Sequence, residues 1–322
     1  MFMTKHLRGL AAVVMAFAAA CHAQSDYPTR TVRIVAPFPP GGSVDIVARL
    51  IGARLSESYG QTFVIDNRSG ASGNIGTEIA ANAPPDGYTL LINTLPLVTN
   101  QFLSSRVPYD ALRDFAPVSL LTGSSSMLCL HPSIPAKSVR DLLQLAKTRG
   151  PSLNYGTAGI GTNPHIAGEL FNLLGKINIT AVHFKGGGPA MIATVSGEIS
   201  MGFSTVPGSL PHVQSGRLRA LGVTGPKRAP QLPDVPTIAE TLPGYEFSTW
   251  QGLLAPKNTP RTIVTSLAER VRKSMGTPEH AKRFTDAGLD VIAGTPDEFS
   301  AYLKSEVAKW GKVIRERGMK AE

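Results

Sequence analysis

Along the chain, short apolar runs alternate with segments whose apolar residues recur every three or four positions. The runs read as buried strands and the periodic segments as helices packed by one face. Residues 31–36 predict a strand, residues 37–42 a tight loop, and Ser43 a helix cap. In the helix that follows, Ile46, Val47, Leu50, Ile51 and Leu55 form an apolar stripe, and Gly60 ends it. Strands at 62–65 and 88–93 flank a glycine-rich turn at 69–74 and a short helix ending near 83. Strand–helix alternation of this kind builds a mostly parallel sheet.

The middle of the chain repeats the rhythm. Short strands are expected at 117–121 and 127–131, a helix at 136–148 and a strand at 153–155. A helix at 164–174 has Asn163 as its cap and Pro164 at its first position. Then come a strand at 179–184, a helix opened by Pro189, a strand at 199–203, a short helix at 210–215 and a strand at 218–224. After a proline-rich connection at 226–243 the pattern gives a strand at 250–255 and helices at 259–275 and 278–287. In a last helix Phe299, Leu303, Val307, Trp310 and Ile314 share one face. The C-terminal part has too few strands for a third unit and is expected to complete the first. The expected fold is α/β with two domains, residues 24–125 plus 245–322 and residues 126–244. Two crossovers would form a hinge, with a cleft between the lobes.

The N-terminus stands apart. Lys5 and Arg8 precede an apolar run at 10–20, too short to span a bilayer but suited to a secretory leader. Cleavage after Ala23 would release an exported mature chain. A second reading makes Cys21, which follows Ala18-Ala19-Ala20, a lipid-anchored residue. Soluble cleavage leaves Cys129 as the single cysteine, in the apolar run Met127-Leu128-Cys129-Leu130, where a buried small hydrophobe is expected.

Composition narrows the function. With 42% apolar and 17% charged residues, the chain can bury a large core, which excludes general disorder. The net charge is +9, but the basic residues are scattered and aromatic content is only 7%, so no nucleic-acid platform is expected. The histidines of the mature chain (His131, His165, His183, His212 and His280) have no metal-site spacing. No H-E-x-x-H, G-x-S-x-G or nucleotide-binding glycine fingerprint occurs. Neither a cofactor nor enzyme activity is expected.

The sharper compositional signal is 32 Gly and 25 Pro in 322 residues, above a usual combined share of about 12%. Glycines cluster in three loops placed between a strand end and a helix start: Pro39-Pro40-Gly41-Gly42-Ser43, the 156–162 loop with Gly159, Gly161 and Thr162, and the 185–188 loop opened by Lys185. In open α/β sheets ligands bind there, and exposed N–H groups with the helix dipole favour an anion. Ordinary tight turns are the competing reading. Ser43 and Thr162 are either hydroxyl donors or plain caps. Lys185 either attracts an anion or points to water. Asp45 is either a dipole-stabilised acid or the partner of a ligand amino or hydroxyl group. His165 either donates into the cleft or sits at the surface.

In its motifs the chain resembles the substrate-binding proteins of tripartite tricarboxylate transporters, the Bug-type receptors. The matching segments include Val35-Ala-Pro-Phe-Pro-Pro-Gly-Gly-Ser-Val-Asp45, Asn67-Arg68, Gly73-Asn-Ile-Gly76, Ala83-Pro-Pro-Asp-Gly-Tyr-Thr-Leu90, His165-Ile-Ala-Gly-Glu-Leu-Phe171 and Trp250-Gln-Gly-Leu-Leu-Ala-Pro256. They keep one order across essentially the whole mature chain. The resemblance implies a bilobed periplasmic-binding-protein (Venus-flytrap) fold and a monomer. It would capture a small carboxylate and hand it to a membrane permease of two subunits. The alternatives are a ligand sensor for a kinase ectodomain and, against the missing nucleophile and metal motifs, a periplasmic enzyme on a small acid. Carried over, the site comprises Phe38, Pro39, Pro40, Gly41, Gly42, Ser43, Asp45, Thr94, Gly159, Gly161, Thr162, His165, Lys185, Ser204 and Thr205. Ser204 and Thr205 stand where many members carry an Asp-containing pair. The 93–98 segment is also more apolar than usual. Both departures favour a carboxylate with an apolar or aromatic body.

Overall fold

The structure, a computed structural model, describes residues 27–286 and 289–320. The expected leader at 1–23, with Cys21, lies outside the described residues. In chain order the first elements are β1 (Val32–Ala36), α1 (Ser43–Tyr59), β2 (Phe63–Asn67), α2 (Asn74–Ala81), β3 (Thr89–Asn93), α3 (Pro96–Leu103) and β4 (Phe115–Leu130). The middle of the chain forms α4 (Val139–Arg149), β5 (Asn154–Thr157), α5 (Asn163–Gly175), β6 (Thr180–His183), α6 (Gly187–Ser196), β7 (Met201–Thr205), α7 (Val206–Gln214) and β8 (Arg219–Val223). The last elements are β9 (Ser248–Pro256), α8 (Arg261–Met275), α9 (Pro278–Asp286), β10 (Asp290–Val291) and α10 (Pro296–Glu316).

The strands run in the order β2-β1-β3-β9-β4-β7-β5-β6, with β8 and β10 also paired to β4. β1 pairs in parallel with β2 and β3, and β5 in parallel with β6 and β7. Each parallel set is one lobe of a bilobed α/β fold. The two sets meet on β4. Its residues from Phe115 to Ser125 run antiparallel to β9, whereas Ser126 to Leu130 pair with β7 and β8.

β4 is one strand of 16 residues where the sequence pattern predicts two short ones. The polar stretch Thr122-Gly-Ser-Ser-Ser126, which separates the two expected strands, continues the ladder. Its polar groups pair sideways: the Ser124 and Thr249 hydroxyls share a 2.6 Å bond, and the Ser126 backbone N–H donates to Thr224 Oγ1 at 2.8 Å. The α3 helix was not expected either. Its residues from Pro96 to Asn100 are all buried, so no polar face marks the period.

α1 and α8 cover one face of the first-lobe sheet, where Ile34, Val47, Ile51, Leu90, Leu267 and Val271 are buried. The other face belongs to a larger core that continues across β4 into the second lobe and includes Leu91, Trp250, Leu128, Tyr155, Phe171 and Phe203. Cys129 is buried, and burial pushes its thiol up to about 12, so it behaves as the expected small hydrophobe. On α5, Glu169 accepts from Tyr155 Oη and from Arg317 Nε, each at 2.7 Å, tying the C-terminal end of α10 to the second lobe.

α10 also buries an acid. Glu306 Oε2 accepts both indole N–H groups of the core, from Trp310 at 2.8 Å and Trp250 at 3.0 Å. Burial raises its pKa despite these bonds. A raised folded-state pKa means stability is lost as pH rises through and above the ordinary carboxylate range. Glu306→Gln keeps an acceptor for both indoles and removes the buried charge, so it should be neutral or stabilising at pH 7 in urea unfolding. Glu306→Leu strands two buried donors and should cost about 2 kcal/mol or more. Equal behaviour of the two variants would show that the indole bonds contribute nothing.

Candidate functional site

The first glycine loop leaves the carboxyl end of β1 and opens α1. Gly42 occupies the cap position without a side-chain bond, and Ser43 is already helical, so the expected Ser43 cap does not form. The loop is held from below instead. Asp45, in the first turn of α1, is only 3% exposed, and its carboxylate accepts from Gly41 N at 2.9 Å, Arg49 Nε at 2.9 Å and Asn67 Nδ2 at 3.0 Å. Burial pushes the Asp45 pKa up, but these hydrogen bonds outweigh it and leave the group ionised below the ordinary carboxylate range. Asn67 also donates to Phe38 O at 3.1 Å. The geometry makes Asp45 the clamp of this loop. Pro39, Pro40, Gly41, Gly42 and Ser43 are left exposed above it. Gly41 has φ of +84°, a conformation that favours glycine. The first-turn N–H groups of α1 have no intrahelical acceptor and point out of the helix end.

Phe38 is half-buried, with its ring against Gly73 in the turn before α2. Gly73 O accepts from the Thr77 hydroxyl, which in turn accepts from Asn93 Nδ2 at the end of β3. Asn93 Oδ1 accepts from Thr94 N at 2.8 Å. One chain of hydrogen bonds therefore joins the second strand end to the turn that supports Phe38.

In the second lobe the corresponding loop follows β5. Thr162 takes the cap position of α5, with Asn163 and Pro164 one residue further in than expected. The Thr162 hydroxyl donates to Gly159 O at 2.6 Å and accepts from no N–H of the helix. Gly161 N donates to His165 Nδ1 at 3.0 Å. His165 is buried, not at the surface, because this bond folds its ring under the loop. Desolvation first, and then the His183 ring 4.9 Å away, lower the His165 pKa to about 4. The ring is therefore neutral at pH 7, with Nε2 carrying the proton. His183 Nδ1 lies 2.7 Å from the Thr157 hydroxyl.

The two lobes touch at these loops. Thr99 of α3 donates from Oγ1 to Gly161 O at 3.1 Å, and the same hydroxyl lies 3.3 Å from Leu95 O. A side chain at Gly161 would collide with Leu103 and crowd Asn100, so glycine permits this approach. Thr99 and Gly161 thus meet between the lobes, while Thr94 is buried just after β3, with its N–H on Asn93. Lys185 is exposed on the loop before α6, and Ser204 and Thr205 end β7. Among the described residues these three form no hydrogen bond to the loops of the first lobe. Sequence reasoning passed over Asn67, Thr99, Asn163 and His183 as site residues. Of these, only Asn67 lies in a motif segment; the other three become visible through packing. A surface concavity of about 620 Å³ lies elsewhere, lined by Phe102, Tyr109, Arg113 and Val307 among others.

The His165 geometry predicts an acid-side effect. Its folded pKa of about 4 lies below the ordinary 6.5, so the unfolded chain takes up the proton first. Stability should fall as pH drops from about 6.5 to about 4. His165→Asn keeps a short acceptor for Gly161 N–H but cannot titrate. Unfolding midpoints measured by fluorescence across that range should show a shallower slope in the variant, and an unchanged slope would place the titration on other groups.

Known proteins share this sequence pattern and fold. Residues 47–319 match the family described as tripartite tricarboxylate transporter family receptor (TctC). The chain is 33% identical to Protein BugT of Bordetella pertussis over 297 residues, 91% of each chain. Among solved structures, Rpa4515 of R. palustris with adipate is 40% identical with a TM-score of 0.83, covering 91% of this chain and 99% of that one. MatC of Rhodopseudomonas palustris with bound malate is 33% identical with a TM-score of 0.80, covering 89% of this chain and 100% of that one. This chain belongs to the tripartite tricarboxylate transporter receptor family, in its Bug-type branch.

Proposed function

We propose that the protein is a periplasmic solute-binding receptor that captures a small organic carboxylate between its lobes and delivers it to a two-subunit permease. The lobes are residues 24–125 plus 245–322 and residues 126–244, and the leader at 1–23 directs export. The observation that carries this reading is the exposed 39–43 loop at the start of α1, clamped by the buried Asp45. Backbone donors held in place at a helix start suit a carboxylate, and they need no cofactor. The 159–162 loop offers a second helix start across the seam. Adipate and malate in two similar proteins support a ligand with one or two carboxylates. Capture with hinge closure involves no bond-making step, so the receptor does no chemistry. In this reading Asp45 acts through the loop it clamps, and Phe38 forms one wall.

A thermal-shift screen against dicarboxylates, tricarboxylates, amino acids and aromatic acids tests the reading. A ligand at a hundred times its Kd adds about 2.7 kcal/mol of apparent stability. Stabilisation by no acid would refute it. Gly42 supplies the site-specific test. A Cβ there would meet only Pro39 O, at an ordinary 3.6 Å, so side chains fit. Like charges about 4 Å apart near a protein surface repel by about 4 kcal/mol. Gly42→Asp should therefore weaken carboxylate binding more than about a hundredfold, and Gly42→Ala far less, by calorimetry. Equal effects of the two variants would remove the loop from the site.

A further inference from the structure

One hydroxyl at the seam has two acceptors, one in each lobe. Thr99 Oγ1 lies 3.1 Å from Gly161 O in the second lobe and 3.3 Å from Leu95 O, four residues back in its own lobe. A hydroxyl carries one proton, so it serves one carbonyl fully at a time. The two carbonyls are not equivalent. Leu95 O already accepts from Val98 N at 2.9 Å and Thr99 N at 3.0 Å, and so is satisfied without the hydroxyl. Gly161 O has no other donor among the described residues. The Gly161 N–H is engaged within its own lobe, on His165 Nδ1 at 3.0 Å.

The two sides of this contact belong to separate bodies. Asn100, next to Thr99, donates from Nδ2 to Asn74 Oδ1 at 2.7 Å and to Ser72 O at 3.0 Å, and Phe102 packs against Gly311 of α10. Thr99 is therefore fixed to the first lobe, as Gly161 is to the second. Both residues are buried where the lobes meet. When the lobes part, Gly161 O gains water and the Thr99 hydroxyl turns to Leu95 O, the back-bond that threonine makes within a helix. When they meet, the hydroxyl turns to Gly161 O, and Leu95 O keeps its two backbone donors. Neither arrangement strands a buried polar group, so the seam can open without the penalty of an unpaired one.

We infer that Thr99 is a positioning residue for ligand capture, whose hydroxyl latches the lobes together through Gly161 O and turns back to Leu95 O when they open. Its part in capture rests on the solute-receptor reading, whereas the latch itself needs no ligand. Two variants test it. Thr99→Val keeps the shape and removes the donor, and Thr99→Ser keeps the donor. Small-angle scattering from the ligand-free protein reads the separation of the lobes. Calorimetry and stopped-flow kinetics with adipate and malate as probes read binding. Thr99→Val should have a larger radius of gyration than the wild type. It should also bind the probe about fivefold more weakly, mostly through faster dissociation. Thr99→Ser should match the wild type in both, and urea unfolding midpoints report that both variants fold. A Thr99→Val protein with the wild-type radius of gyration overturns the latch, and so does a Thr99→Ser protein that behaves as Thr99→Val. If no acid of the thermal-shift screen binds the wild type, the receptor reading falls, while the scattering comparison still decides the latch.

Discussion

The structure depends on the continuity of β4. One strand of 16 residues serves two sheets, changing partners from β9 to β7 and β8 between Ser125 and Ser126. At that point it cannot rely on apolar packing from either lobe alone. The hydroxyls of Ser124, Thr249 and Thr224 supply short bonds there instead. A buried polar ladder of this kind is costly to break, because each freed group loses its partner without gaining water. The lobes are therefore joined by a strand that resists stretching, and their loops are brought to a shared seam in fixed register.

The same preference for internal satisfaction shapes the site. Asp45 is charged and buried, and three donors from loop, helix and β2 surround it. The acid is used to fix backbone geometry, and the backbone of residues 39–43 is left exposed. His165 does the equivalent in the second lobe, where a neutral ring accepts one loop N–H. Both loops are thus presented by side chains buried beneath them.

Much of the fold was legible because strand and helix periods are strong signals where one face is apolar. The β1–α1–β2 start and the amphipathic α8 and α10 follow directly from it. β4 was hidden by its own polar middle, which looks like a turn unless Thr249 and Thr224 are known to lie alongside. α3 was hidden because burial on all sides removes its period. In the candidate site, the glycine loops do lie at strand ends, after β1 and β5. The cap assignments at Ser43 and Asn163 slipped by one residue because loop hydrogen bonds to Asp45 and Gly159 replace side-chain capping. Thr99 and His183 carry no motif, and their importance comes from partners distant in sequence.

The Glu169–Arg317 pair has one more consequence. It joins the end of the last helix to α5 at a point off the strand crossing, with only 11% and 23% of the two side chains exposed. A strand and a lateral pin together leave two bodies fewer ways to move than a strand alone. Sliding and twisting would pull the pin apart, whereas rocking about a line through both anchors would not. Such rocking would spare the pin and draw on the Thr99–Gly161 contact at the seam instead, so the relative position of the lobes reduces largely to one angle.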